Sequence, residues 1–402
     1  MLAAVNGGSG LNALAIGFNR DNTRYHLTVK NFDSLTDLYN ALLAKETIDI
    51  IDLSGVDVRK LSKQGVFTDL FPYLEQSETL GRSDFLDGIL DVYTFDGILA
   101  GIPETFTLRT VVGDRTQIGN DAGLSLDGML AAIEQNPGAV PFDGITKEEM
   151  MQYLMMLNED TFIDWSTGEC YFDSELFKDI LEVVNRLPDE HRNAQDVTLP
   201  DKIQNREVLF AIADMNMLKS YQPYAEMFGE NAACVGFPTA DGKGGTLLFP
   251  ENAFGITAGS KSKSGSWKFI EYVLGQEDVE GMEKEEVYRL YARPYRFPVL
   301  KNILDTMIEY RMEEDSRCSE DQFSIITYDD GWQFRYHAVT WEEINTVFDL
   351  LKEAVPSFYV EEDEIIKIIN EEAADYYHGQ KGIDEVVSII QKRIRLYVGE
   401  QI

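Results

Sequence analysis

The sequence predicts an α/β protein built around a parallel β-sheet, and three observations support this prediction. Residues 2–5, 25–29 and 48–53 have the apolar patterns of β-strands. The two segments between them repeat apolar residues at helical spacing. The chain has 402 residues, which at roughly 150 residues per domain favours two domains or three. Strands that alternate with helices form parallel sheets with right-handed crossovers.

The first half of the chain continues this alternation. Residues 11–18 form a predicted helix, and Ser34 is placed to cap a second one that covers residues 35–42. A hairpin turn at residues 96–97 precedes an extended segment that runs to residue 112. Residues 120–190 are predicted to be mostly helical, with Thr146 and Glu149 as a capping box ahead of methionines that fill the core.

The second half contains further strands and ends in helices. Residues 207–213, 234–238 and 247–258 are predicted strands, and helices follow around residues 267–273 and 303–310. The turn at residues 329–331 predicts a hairpin between residues 325–327 and 332–336. From Trp341, after a possible cap at Thr340, the pattern is helical, and the last helix starts near Asp384.

The composition indicates a soluble globular protein and excludes two classes of partner. Apolar residues make up 44% of the chain, enough for a large core. Lys and Arg number 35 against 70 Asp and Glu, a net charge of −35. That charge repels nucleic acid and anionic membrane surfaces, so neither is expected as a partner. We interpret the acidity as a solvated exterior rather than as a calcium or acidic-substrate signal.

The cysteines bear on whether the protein binds a metal or cofactor, and the N-terminus bears on where the protein is located. Cys170, Cys234 and Cys318 are widely spaced and lack metal-ligand spacing, so they are predicted to be core residues, and we expect no metal and no cofactor. No run of about 18 apolar residues predicts a membrane-spanning helix. The chain starts directly on a predicted strand without an export signal. We therefore expect that an upstream signal, lipid anchor or further domain lies outside this chain.

The loops that follow the first and third strands are the first candidates for a ligand site, because ligands of α/β sheets lie at the carboxyl ends of strands. These loops are residues 6–9 and 54–57. The glycine-rich segment 6–10 could instead hold a phosphate, but it lacks the Lys and Ser/Thr of a P-loop and the full spacing of a dinucleotide motif. We favour a tight turn.

Six groups of short segments, spread over nearly the whole chain, occur in a recognisable order. They are residues 18–19, residues 48–51, residues 65–70 (GVFTDL), residues 97–103 (GILAGIP), residues 235–238 with 255–256 and 266–270, and a C-terminal stretch at 369–394. In this order they resemble the extracellular solute-binding proteins of carbohydrate ABC importers, the group that includes maltose-binding protein. The C-terminal stretch is similar to members from anaerobic Gram-positive bacteria.

The resemblance implies a fold, a mechanism and partners. The fold is of the periplasmic-binding-protein type II, with two α/β lobes joined by crossing hinge segments and a cleft between them. One lobe would hold residues 1–107 and 255–312, and the other residues 108–254 and 313–402. Such a protein is an extracellular, lipid-anchored monomer without catalytic activity. It closes on a mono- or oligosaccharide and delivers it to permease subunits in the membrane.

The resemblance and the strand ends together predict the ligand-binding residues. A sugar site needs aromatic rings against C–H faces and short polar side chains for the hydroxyl groups. Residues 53–57 (LSGVD) lack the aromatic and charged pair of the maltose-type loop, which argues against maltodextrin. The predicted residues are Asn6, Ser9, Ser54, Asp57, Glu104, Thr105, Thr107, Trp165, Asn216, Tyr221, Asn252, Tyr295 and Trp332.

The aromatic candidates differ in their sequence context. Trp165 lies in a polar loop, which favours binding, and Tyr295 lies in a second loop and is the weaker candidate. Trp332 follows a hairpin turn, where cross-strand packing is an equal alternative. Trp267 and Trp341 belong to amphipathic helices and are predicted to be core residues.

Two other functions stay open at this point. The same fold could serve a receptor or sensor for a non-sugar solute such as a peptide or polyamine. A polysaccharide-active enzyme is the third alternative, but 70 acidic residues make any proposed carboxylate pair uninformative. The four histidines match no metal-ligand motif, and Ser54-Gly55 is not within a GxSxG motif.

Overall fold

A computed structural model describes residues 1–5, 7, 9–117, 123–191, 197–275, 279, 281–292, 295–358 and 363–401. The strands are β1 Leu2–Val5, β2 Val29–Phe32, β3 Ile50–Asp52, β4 Thr94–Phe95, β5 Ile98–Leu99, β6 Ile102–Asp114, β7 Val140–Phe142, β8 Ile163–Asp164, β9 Glu169–Cys170, β10 Val208–Met215, β11 Ala232–Cys234, β12 Leu247–Ile256, β13 Phe297–Pro298, β14 Ile325–Thr327, β15 Gln333–Arg335 and β16 Val355–Pro356.

The α-helices are α1 Ser9–Asp21, α2 Leu35–Leu43, α3 Val58–Lys63, α4 Phe71–Gln76, α5 Leu126–Gln135, α6 Lys147–Phe162, α7 Glu175–Val184, α8 Leu199–Gln204, α9 Gln222–Phe228, α10 Lys263–Leu274, α11 Lys284–Tyr291, α12 Lys301–Asp315, α13 Trp341–Asp349, α14 Glu364–Tyr377 and α15 Ile383–Gln401. Short 3₁₀ helices lie between several of these elements. Within the described parts of the chain, none of the helices combines the length and apolar character needed to cross a bilayer.

The chain forms two compact units, each assembled from separate segments. Unit 1 holds Met1–Thr107, Phe249–Glu314 and Phe358–Glu361. Unit 2 holds Leu108–Leu248, Asp315–Ser357 and Glu362–Ile402. Strands β6 and β12 therefore each contribute residues to both units.

Unit 1 contains the parallel sheet that the sequence predicts. β1 pairs in parallel with β2 (Leu2 opposite Val29) and with β3 (Leu2 opposite Ile50). The strand predicted at residues 25–29 is wrong in its position, because β2 begins only at Val29. The backbone of Leu27 forms hydrogen bonds of 2.6 and 2.8 Å with the side chain of Asn19 at the end of α1. Both backbone groups of Leu27 therefore bond to this side chain instead of to a neighbouring strand.

Unit 2 is arranged around β10, which pairs antiparallel with β6 and in parallel with β7. The capping box predicted at Thr146 and Glu149 opens α6 and is confirmed, as is the burial of Met150 and Met151. The strand predicted at residues 234–238 is wrong in extent. β11 ends at Cys234, because Gly236 adopts φ +73° and turns the chain.

The helix caps and hairpins follow the sequence closely, whereas two predictions of burial fail. Both hairpins, β4–β5 and β14–β15, are confirmed. Trp267 is buried as predicted, but Trp341 is 56% exposed at the start of α13. Cys318 is also exposed rather than in the core. Helical periodicity indicates a face, and at the first turn of a helix that face need not meet a neighbour.

The core of unit 2 includes a cluster of three fully buried rings, which gives a test of its packing. Phe177 lies 5.0 Å from Phe172 and 5.4 Å from Phe162 between ring centroids. We expect Phe177→Ala to lower the free energy of unfolding by about 3–5 kcal/mol, because it removes the ring and leaves a cavity. Chemical denaturation followed by circular dichroism measures this loss. The exposed neighbour Tyr171→Ala is the control, and equal losses in both variants would contradict the packing.

Candidate functional site

Strand β12 interrupts its own buried pattern with three less buried residues, Pro250, Glu251 and Asn252. Asn252 has φ +51°, in the left-handed region that asparagine tolerates better than most residues. Such a conformation in a strand redirects the neighbouring side chains, and strained residues of this kind concentrate at functional sites. The local backbone therefore presents Glu251 and Asn252 away from the regular strand pattern.

In unit 1 these two residues join a set that we call the crossing cluster, because its members lie on or beside the strands shared by the units. The members are Glu104, Thr107, Glu251, Asn252 and Arg296. The Asn252 Nδ2 amide donates to Glu104 Oε2 at 2.9 Å. Arg296 forms an ion pair with Glu251, and the Thr107 hydroxyl donates to the same carboxylate.

The carboxylates of the crossing cluster are costly to ionise. Burial raises the pKa of Glu104, and the hydrogen bond from Asn252 and the charge of Arg296 oppose this only in part. Burial likewise raises the pKa of Glu251 against the effects of Arg296 and Thr107. Partly desolvated carboxylates of this kind are strong hydrogen-bond acceptors for hydroxyl groups.

A buried carboxylate, Asp52, lies at the end of β3, the strand that pairs with β12. Asp52 Oδ1 accepts hydrogen bonds from the Ser54 backbone at 3.1 Å and the Ser54 hydroxyl at 2.8 Å. Burial raises the pKa of Asp52. Asp57 caps α3 by accepting from the Lys60 backbone at 2.9 Å. Ser54 and Asp57 thus have structural partners, and their ligand-binding role stays a prediction.

In unit 2 a second set, the arginine cluster, lies on β6, α6, β10 and α9 and consists of Arg109, Tyr153, Asp214 and Tyr224. Arg109 donates from Nε to Asp214 Oδ1 at 2.6 Å and from Nη2 to Oδ2 at 3.0 Å, a bidentate pair. Its Nη1 donates to the Tyr153 hydroxyl. Burial, followed by the negative charge of Asp214, raises the pKa of Tyr224 above its usual range.

Aromatic residues of the β14–β15 hairpin extend the arginine cluster, and we call them the aromatic hairpin. They are Tyr328, Trp332, Phe334 and Tyr336. The Trp332 ring lies 4.9 Å from the Tyr328 ring and 5.6 Å from the Phe334 ring. Tyr328 and Tyr336 are both electrostatic neighbours of Tyr224. Tyrosine rings therefore lie beside a polar pair, the combination that a sugar requires.

Several predicted residues lie in other environments. Asn216 accepts from the Ser220 hydroxyl at 3.1 Å, and the Tyr221 hydroxyl donates to Ala232 O at 3.1 Å. The Trp165 Nε1 donates to Glu159 at 2.8 Å in the turn between β8 and β9. These contacts give all three residues a local structural role, and their role in binding stays a prediction.

Of the remaining predicted ligand-binding residues, one is buried, one is exposed, and two cannot be placed with their side chains. Thr105 is buried, and its hydroxyl has no hydrogen-bond partner among the described residues. Tyr295 is exposed at φ +64° and lines a surface groove of unit 1 with Tyr288 and Tyr310. Asn6 lies outside the described residues, and so does the side chain of Ser9.

Sequence reasoning missed most of the charged partners. Glu104, Thr107 and Asn252 were predicted and come together, whereas Glu251, Arg296, Arg109 and Asp214 were not. The sequence could have indicated that Arg109 has a charged partner, because Arg109 is the one charged residue in the segment 106–112, whose other residues are apolar or threonine. Such a residue needs a partner, as a charge within a strand is otherwise costly to bury.

The chain is similar in structure, but not in sequence, to known proteins. The sequence matches no family model and no curated protein. The structure is similar to the sugar-binding protein MalE from Xanthomonas citri, with 15% identity and a TM-score of 0.64, covering 100% of this chain and 98% of that chain. The chain has the fold of MalE-like, type II periplasmic-binding proteins. The predicted fold class is therefore confirmed.

Other similar structures are also binding proteins. One is the cyclic α-maltosyl-1,6-maltose binding protein from Arthrobacter globiformis, with 14% identity, a TM-score of 0.59, and coverage of 99% and 98% of the two chains. Another is an ABC transporter solute-binding protein from Thermotoga lettingae bound with α-D-tagatose, with 16% identity, a TM-score of 0.56, and coverage of 99% of both chains. At these identities the likeness establishes the fold.

The raised pKa of Glu104 gives a prediction for stability against pH. A raised native pKa contributes stability below the unfolded pKa of about 4.3, and this stability is lost as the pH rises through the native value. Glutamine cannot ionise but can still accept the Asn252 hydrogen bond. We therefore expect Glu104→Gln to be more stable than the wild type at neutral pH, with the difference vanishing near pH 4.

Thermal unfolding at a series of pH values measures this difference. Glu75→Gln, which changes an exposed carboxylate of unit 1, is the matched control. Parallel stability curves for Glu104→Gln and the wild type would show that burial does not control the ionisation of Glu104.

Proposed function

We propose that this protein is the extracytoplasmic solute-binding component of a carbohydrate ABC importer. The observation that supports the proposal most strongly is the arginine cluster with the aromatic hairpin in unit 2. A bidentate Arg–Asp pair offers donors and acceptors to sugar hydroxyls, and the neighbouring tyrosine and tryptophan rings suit the apolar C–H faces. The fold shared with sugar-binding proteins supports the same conclusion.

The finer parts of this proposal come from the sequence. The two lobes, which we take to be units 1 and 2, close on a mono- or oligosaccharide by hinge motion. The loaded monomer then delivers the sugar to permease subunits in the membrane. We propose an extracellular location with lipid anchoring in the full-length protein, and no catalytic activity. The neighbours in structure are binding proteins, which supports the last point.

Isothermal titration calorimetry against a panel of neutral mono- and oligosaccharides tests the proposal. We expect at least one sugar to bind with one-to-one stoichiometry. Parallel titrations with spermidine and with short peptides represent the receptor alternative. Binding of a polyamine or peptide without binding of any sugar would contradict the carbohydrate assignment.

Tyr224 is expected to contribute a ring to sugar binding. We expect Tyr224→Ala to weaken the affinity for the sugar identified by that panel by about tenfold or more, which corresponds to about 1.4 kcal/mol, because a stacking surface is removed. Calorimetry at a temperature where the variant is folded measures the loss. Tyr171→Ala removes an exposed ring elsewhere in unit 2 and should bind as the wild type does. Equal affinities for Tyr224→Ala and the wild type would exclude Tyr224 from the site.

A further inference from the structure

Each of the three guanidinium nitrogens of Arg109 donates a hydrogen bond to a side chain of the protein. Nε and Nη2 bind the two carboxylate oxygens of Asp214, and Nη1 binds the Tyr153 hydroxyl. An arginine in a binding site usually recognises carboxylates or phosphates through this same pair of parallel N–H groups. Here a side chain of the protein already occupies that position, so the edge is not available to a ligand anion.

The charge of the pair is balanced, and its acidic member is the more accessible one. The Asp214 side chain is 50% exposed, whereas the Arg109 side chain is 24% exposed. A ligand that approaches the pair therefore meets the carboxylate before the guanidinium. A hydroxyl group can donate to that carboxylate, but a ligand carboxylate would be repelled by it.

The crossing cluster of unit 1, taken by itself, holds more acidic than basic side chains. Its one cation, Arg296, is paired with Glu251, and Glu104 adds a second carboxylate. The whole chain carries a net charge of −35, which further disfavours the approach of anions.

We propose that Asp214 determines the charge specificity of the sugar site, so that the protein binds neutral sugars and rejects their uronates. This inference rests on the proposed function and names the substrate class of the same site. Asp214 excludes uronates in two ways: it occupies the carboxylate-binding edge of Arg109, and it places a like charge where a uronate would bind. Its removal should therefore convert the pair into a carboxylate-binding site.

Calorimetry with matched probes tests this inference. D-glucose is compared with D-glucuronate, and galactobiose with digalacturonate, for the wild type and for Asp214→Asn. Asparagine has nearly the same shape and keeps one acceptor for Arg109, so the fold is retained while the guanidinium charge is no longer neutralised. We expect the affinity of Asp214→Asn for at least one uronate to exceed that of the wild type by about tenfold or more.

Two controls assign the gain to Arg109. Asp189→Asn removes an equal charge from an exposed ion pair with Lys147 in unit 2 and should leave uronate binding unchanged. The double variant Arg109→Gln with Asp214→Asn should lose the gain, because no cation is left to bind the uronate.

The outcomes distinguish this inference from the proposed function. If the wild type binds a uronate more tightly than the matching neutral sugar, the inference that Asp214 rejects uronates is overturned. The absence of any gain in a folded Asp214→Asn variant would overturn it as well. If no neutral sugar of the wider panel binds the wild type, the proposed function fails, and the specificity inference fails with it.

Discussion

Strands β6 and β12 each belong to two compact units, and this sharing constrains the polar residues along both strands. In a strand shared in this way, polar groups gain from partners in both units, because an unpaired polar group within a sheet is costly. The Thr105 hydroxyl on β6 is an exception among the described residues. The polar residues Glu104 and Arg109 on β6 and Asn252 on β12 all have partners. Each partner comes from a segment distant in sequence, so these pairs also hold separate segments together.

The same constraint explains why the polar residues that we propose for ligand binding lie on and beside these strands. Side chains supported by strands and by ion pairs are held more accurately than side chains on loops. The polar contacts of the two clusters come from six different elements or connections. Burial raises the pKa of Glu104 and Glu251, and the polar contacts of these two carboxylates oppose the rise only in part. If the proposed function holds, a ligand that offers hydroxyl groups would find acceptors that are already desolvated, which reduces the entropic and solvation costs of binding.

The sequence predicted local structure better than it predicted the site. Periodicity located β1 and α2, and turn motifs located the two hairpins. The crossing segments that the resemblance implies pointed to Glu104, Thr107 and Asn252. The partners were missed because Arg109 and Asp214 are 105 positions apart, and no local pattern encodes that distance. Trp341 failed for a related reason: its position on an amphipathic helix does not reveal which neighbour, if any, covers the first turn.

Hydrogen exchange with and without a sugar that binds is the most direct test of the proposal that the arginine cluster and the aromatic hairpin of unit 2 bind the ligand. Exchange detected by mass spectrometry resolves peptides that cover residues 108–114, 214–224 and 328–336. Binding there should slow exchange in these peptides on addition of the sugar, with no change in α2. Protection confined to other surfaces, such as α11 and the groove beside Tyr295, would contradict it.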